Sequence, residues 1–181
     1  MKILFCDNSL KELLHFRGDV IKHILELGHE IVLVGPGNID KGQFEGNINI
    51  IEVPMQRAGM NPFKDILLFY RLLKAYLKEA PDYIFHYTVK PNVYGSFAAK
   101  ILKIPTSSMV TGLGYSFYHN DLRSSIARFL YRLSLNLNKN VIVLNEDNGK
   151  LLIERGIVKE EKIIVLKGGE GVNLHSYRPM K

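Results

Sequence analysis

The chemical capacity of this sequence is gathered in a few short polar clusters. One is His15-Phe16-Arg17-Gly18-Asp19. A second is His86-Tyr87-Thr88-Val89-Lys90-Pro91-Asn92, and a third is Thr111-Gly112-Leu113-Gly114. Asn145-Glu146-Asp147-Asn148 is dense in amides and carboxylates, and Gly168-Gly169-Glu170-Gly171 sets a carboxylate in a glycine run. Imidazole donates and accepts hydrogen bonds, and ammonium and guanidinium groups pair with carboxylate or phosphate. Glycine beside a hydroxyl leaves bare backbone that a ligand can approach closely. The chemistry on offer is recognition of hydroxyl-rich or anionic molecules.

The elements that must position these clusters are legible. Apolar, β-branched runs predict strands at 2–7, Glu30–Gly35, 48–54, Tyr83–Tyr87, 105–112, 140–145 and 162–168. Helical spacing fills the intervals at 10–27, 63–79, about 92–102, 121–138 and 146–155. Gly28 closes the first helix, and Asn61-Pro62 opens the second. The alternation predicts an α/β fold: a Rossmann-like parallel sheet of six or seven strands with helices on both faces. Ligands bind outside the carboxyl ends of such strands. His86, Thr111, Asn145 and Glu170 all fall at or just after strand ends, and Asp7-Asn8-Ser9 follows the first.

Composition sets the outer limits. The chain has 181 residues, 46% hydrophobic and 23% charged, which excludes disordered and fibrous classes. No apolar run is long enough for a bilayer span, and the N-terminus reads as a strand, not a signal peptide. The single cysteine, Cys6, cannot form an internal disulfide; it is expected as a buried core thiol in a reducing cytoplasm. No Gly-x-Gly-x-x-Gly follows the first strand, which argues against a nicotinamide or flavin cofactor, and no P-loop is present. The net charge of +6 favours an acidic partner. Nucleic acid is disfavoured, because no helix-turn-helix or RNA-binding aromatic motif appears.

Several segments together resemble the N-terminal domain of family-four glycosyltransferases. They are closest to bacterial enzymes that add an N-acetylhexosamine to lipid-linked sugars of capsule, O-antigen or N-glycan assembly. The segments are Phe16-Arg17-Gly18, Leu27-Gly28-His29-Glu30-Ile31, His86 to Ser96, Val110 to Gly114, and Gly171-Val172-Asn173 up to Pro179. The family's last turn often reads Gly-Val-Asp, where this chain has Asn173.

The resemblance implies that residues 1–181 form the acceptor-side half of a two-domain GT-B architecture, with the C-terminal donor-binding domain absent. It implies a retaining transfer of a hexose or N-acetylhexosamine, without a metal or other cofactor. The donor would be a UDP-sugar and the acceptor a lipid-diphosphate-linked saccharide. On this reading Arg17 and Gly18 mark a helix N-terminus aimed at the leaving diphosphate. His86 and Thr111 are the candidate catalytic groups beside the acceptor hydroxyl. Lys90, Asn92, Gly112, Gly114, Asn145 and Glu170 are candidate substrate contacts.

Lys64, Arg71, Lys74 and Lys78 share one side of the second helix, interleaved with Phe69, Tyr70 and Tyr76; Arg123, Arg128 and Arg132 extend the basic surface. This face is a candidate for anionic lipid on the cytoplasmic side of the plasma membrane. Two rivals are a nucleotide-sugar 2-epimerase of the same architecture and a non-enzymatic anion- or lipid-binding α/β module.

Overall fold

The computed structural model describes residues 1–167, apart from 38, 41, 43, 58, 60, 115, 116, 118 and 120. Seven parallel strands form one sheet: β1 (Lys2–Cys6), β2 (Glu30–Gly35), β3 (Ile48–Glu52), β4 (Tyr83–Tyr87), β5 (Thr106–Val110), β6 (Asn140–Val143) and β7 (Ile163–Val165). Their order is β3-β2-β1-β4-β5-β6-β7. The direction of winding reverses between β1 and β4, so the switch point of this Rossmann-like sheet lies there. In register, Phe5 lies between Leu33 and Phe85, and Cys6 between Val34 and His86.

Period-two alternation along the strands divides the core between two faces. Phe5, Ile31 and Leu33 pack on one face against Leu10, Leu13, Ile21 and Leu25 of α1 (Leu10–Glu26). Leu4, Cys6, Val32, Val34 and Ile84 face the other way. They meet Leu68, Leu72 and Tyr76 of α2 (Pro62–Glu79) and Ala98 and Ala99 of α3 (Ser96–Ile101). The same layer continues with Tyr131 and Leu135 of α4 (Leu122–Leu135) and Leu152 of α5 (Glu146–Glu154) over Val141 and Val143.

The helices start where the sequence supplies caps. Ser9 accepts from the Glu12 N–H, Asn61 from Phe63 and Lys64, Asp121 from Ser124, and Asn145 from Asn148. Pro62 occupies the first position of α2. Cys6 is fully buried, and desolvation pushes its thiol up to about 12. The expected helix at 92–102 is modified: Pro91–Gly95 forms a π-helical turn that leads into α3. Because every strand is parallel, all seven carboxyl ends, and the starts of the helices that follow them, share one edge.

Candidate functional site

At the switch point the first strand runs into Asp7. This carboxylate is 7% exposed and accepts the Ser9 N–H at 3.2 Å. Burial raises its pKa from 3.8 to about 6; the Ser9 and Asn8 N–H groups and the Arg17 charge pull the other way without cancelling the desolvation. The Asp7 N–H donates to Val34 O at 3.0 Å, so the backbone is tied to β2. β2 ends in glycine because a Cβ on Gly35 would stand 2.5 Å from Asp7 O.

Arg17 reaches from α1 over the neighbouring strand ends. Its guanidinium lies 4.8 Å from the centroid of the Tyr87 ring, and Nη2 approaches Met109 Sδ at 3.1 Å. Asp7, Arg17, Tyr87 and Met109 thus bring together the ends of β1, β4 and β5. The residue after Tyr87, Thr88, has φ +66°, a left-handed conformation rare for a β-branched side chain. Its hydroxyl donates to Tyr87 O.

The segment after β4 is a brace. Lys90 Nζ meets Asp65 Oδ1 of α2 at 2.6 Å, and Asn92 Nδ2 donates to Met109 O at 2.9 Å. Burial, and after it the nearby Asp65 charge, hold the Tyr94 phenol above its ordinary pKa. A Cβ on Gly95 would stand 2.5 Å from His86 Nε2. Ser96 Oγ lies 3.4 Å from His86 Nδ1 and donates to Asn92 O at 2.7 Å.

The structure therefore divides the candidates. Thr111, Gly112 and Gly114 are exposed beyond β5, and Asn145 is exposed at the start of α5, although its side chain caps that helix. Arg17, Lys90 and Asn92 are at most 8% exposed and hold the edge together. His86 is fully buried between Tyr76 and Ser96, and desolvation lowers its pKa from 6.5 to about 3. A neutral imidazole enclosed on both nitrogens orients the brace and touches no solvent-borne hydroxyl.

Gly18 also differs from expectation. Helix α1 starts at Leu10 with Ser9 as cap, so Gly18 lies in its middle and not at an anion-binding N-terminus. A Cβ there meets nothing within 4 Å. Tyr76, expected among the basic residues of α2, is fully buried against His86. Glu170 and Asn173 lie outside the described residues.

Asp7 was not among the candidates. Its signal was a carboxylate directly after an apolar run, at the one strand end where the winding reverses. Ser9, whose N–H the Asp7 carboxylate accepts, lines a cleft of about 660 Å³ together with Lys11, Glu12, His15 and Asp40, side chains suited to hydroxyl groups, and the apolar Leu14 and Ile39. Among the described residues no set of three or more His, Cys, Asp or Glu side chains converges as metal ligands.

Comparison with known proteins now bears on this edge. The family described as "Glycosyl transferase 4-like" matches residues 2–145, which is most of the chain. The chain belongs to the glycosyl transferase 4-like family. A curated relative from Campylobacter jejuni is N,N'-diacetylbacillosaminyl-diphospho-undecaprenol alpha-1,3-N-acetylgalactosaminyltransferase. It is 30% identical over 99% of this chain, and the chain spans 49% of that protein.

Among solved structures, Anabaena Alr3699/HepE in complex with UDP and glucose matches with a TM-score of 0.64 at 17% identity, over 98% of this chain and 46% of that one. The UDP-GlcNAc 2-epimerase of Methanocaldococcus jannaschii matches with a TM-score of 0.63 at 19% identity, over 92% and 45%. At these identities the likeness shows the fold: a Rossmann-like half of the GT-B kind, shared by transferases and epimerases. The chain spans about half the length of each of these proteins.

Proposed function

We propose that this glycosyl transferase 4-like domain is the acceptor side of a retaining glycosyltransferase. It works with a donor-binding lobe to move a hexose or N-acetylhexosamine from a UDP-sugar to a lipid-diphosphate-linked saccharide. The observation that carries the reading is the strand-end edge of a family-four domain, where Asp7 and Arg17 sit at the switch point and Thr111, Gly112 and Gly114 stay exposed after β5. The name of the Campylobacter relative supplies the acceptor class.

In this proposal the cleft at Ser9 and His15 receives the acceptor saccharide. Asp7 accepts a hydrogen bond from its reacting hydroxyl, and Thr111 with the bare backbone of Gly112 lines the sugar being transferred. Arg17 places positive charge near the leaving diphosphate, while Lys90, Asn92 and His86 act by positioning. Asn145 and Glu170 remain candidate contacts to the second lobe's substrate. No metal or cofactor takes part.

Among the described residues no helix is long and apolar enough to cross a membrane. We place the protein on the cytoplasmic surface of the membrane, in surface-polysaccharide or glycan assembly such as capsule. Lys64, Arg71, Lys74 and Lys78 are exposed along α2, with Arg123 and Arg132 on α4, and they would attract anionic lipid.

The test is a transfer assay with UDP-N-acetylhexosamines and a lipid-linked saccharide, run on this chain alone and on the protein with its donor lobe. Transfer is expected only with both lobes, because positioning across a cleft contributes on the order of 7–11 kcal/mol to lowering the barrier. Free 2-epimerised sugar in place of a glycoside would move the protein to the epimerase reading. Turnover by residues 1–181 alone would overturn the division between lobes.

A further inference from the structure

Two clefts, one that carries charged side chains over an apolar floor and one that is mainly apolar, meet at Asp65 on α2. We propose that together they hold an isoprenoid diphosphate, with the diphosphate in one and the first part of the isoprenoid chain in the other. The inference rests on the lipid-linked acceptor reading above and adds where on this chain the lipid is held.

The first cleft, about 390 Å³, lies between α2 and the segments after β2 and β3. Lys64, Arg71 and Lys90 line it against the carboxylates of Glu52 and Asp65, with Pro54, Met55, Leu67 and Leu68 as its apolar part. Lys90 is already committed to Asp65, at 2.6 Å, which leaves Lys64 and Arg71 for an incoming anion. Arg71 is oriented into place by Pro54 O, 3.4 Å from Nη1.

The second cleft, about 550 Å³, lies between α2, α3 and α4. Ile66, Phe69, Phe97, Ile101 and Leu130 give it a mainly apolar wall, to which Lys100 adds the stem of its side chain.

Asp65 belongs to both. Its carboxylate pairs with Lys90 on the side of the first cleft, and Tyr94 lines the second cleft with it. The lining thus changes across Asp65, from one that holds Lys64 and Arg71 to one that is mainly apolar. That change matches a ligand whose charge and hydrocarbon are covalently adjacent. A free sugar or nucleotide would leave the apolar cleft empty, and a free hydrocarbon would leave Lys64 and Arg71 unused. α2 and α3 begin at the strand-end edge, so a diphosphate between Lys64 and Arg71 lies on the same side of the sheet as Thr111 and Gly112.

Further apolar side chains are exposed on the same two helices, Phe63 on α2 and Ile126 and Phe129 on α4. They would continue the path of the chain toward the bilayer.

The experiment is titration calorimetry of the 181-residue chain with three probes: farnesyl diphosphate, inorganic diphosphate and farnesol. Farnesyl diphosphate should bind at least about ten-fold tighter than inorganic diphosphate, since each buried methylene contributes a factor of about four. Ile66 and Ile101 are 55% and 60% exposed, so Ile66→Glu with Ile101→Glu is compatible with folding. That double variant should lose the chain-dependent gain and keep inorganic diphosphate binding. Lys64→Glu should weaken both diphosphates and leave farnesol unchanged. Equal affinity for the two diphosphates, or a chain gain that survives in the isoleucine double variant, would overturn the apolar cleft while leaving the acceptor reading intact. If neither diphosphate binds, this inference falls, and the acceptor reading stands or falls by the transfer assay with both lobes.

Discussion

Lys90 Nζ stands 2.6 Å from Asp65 Oδ1, and the two side chains are 9% and 10% exposed. This pair ties the turn after β4 to the first turns of α2. A buried pair of this kind is costly to split, because the remaining charge loses both water and partner.

Lys90→Met alone, or Asp65→Leu alone, should therefore destabilise the chain by about 3–5 kcal/mol, and the double substitution by clearly less than either. Urea unfolding of the wild type and the three variants completes the cycle. Simple addition of the two single effects would show that the pair contributes no coupling.

Two glycines of the family segments should respond in opposite directions to alanine. At Gly95 the new Cβ would meet His86 Nε2 at 2.5 Å and the Tyr76 hydroxyl at 2.9 Å. Gly95→Ala should cost about 1–3 kcal/mol, the usual range for overpacking. At Gly18 the new Cβ meets nothing within 4 Å inside a regular helix. Gly18→Ala should stabilise by about 0.5–1 kcal/mol, because the unfolded chain loses freedom. Melting the two variants side by side decides the matter, and stabilisation at Gly95 would show that the His86 environment has slack.

What the sequence disclosed follows from locality. Glu30–Gly35 and Tyr83–Tyr87 were bounded as they stand, because a continuous apolar run between polar breaks is a local signal. Polar residues at strand ends were legible for the same reason. The roles of His86, Asn92 and Lys90 were not, because their partners Tyr76, Met109 and Asp65 are remote in the chain. The same remoteness hides the π-helical turn at Pro91–Gly95, which is set by what it grips. Tyr76 sits on a helix with a basic face, but only the strand beside it shows that its own direction is inward.

His86 makes a further prediction about acid. Its folded pKa, about 3, lies below the ordinary 6.5, so the folded chain keeps it neutral while the unfolded chain takes up a proton. Its contribution to stability is complete above pH 6.5 and is lost as pH falls toward 3. The loss runs at about 1.4 kcal/mol per pH unit. His86→Gln should be less stable than wild type at pH 7.5, yet lose less on acidification to pH 4.5. Denaturant titrations at several pH values supply both curves, and parallel curves would mean that His86 is not the group that titrates.

Asp7 has the opposite sign. Its folded pKa is raised to about 6 from 3.8, so the folded chain holds the proton more tightly than the unfolded one. The stability gained by holding it is full below pH 3.8 and disappears as pH rises through 6. Above that, a buried carboxylate is kept ionised against its desolvation, with the Arg17 charge offsetting only part of the cost. Asp7→Asn keeps an oxygen for the Ser9 N–H and removes the charge. The variant should therefore be more stable than wild type at pH 8 by on the order of 2 kcal/mol, with the gain shrinking toward pH 4. In the protein with both lobes it should lose turnover on the lipid-linked acceptor by about a hundred-fold if Asp7 meets the reacting hydroxyl. Greater stability with lower turnover is the signature of a group placed for chemistry at the expense of the fold. Lower stability at pH 8 would instead mean that attraction to Arg17 outweighs burial, making Asp7 and Arg17 a structural pair.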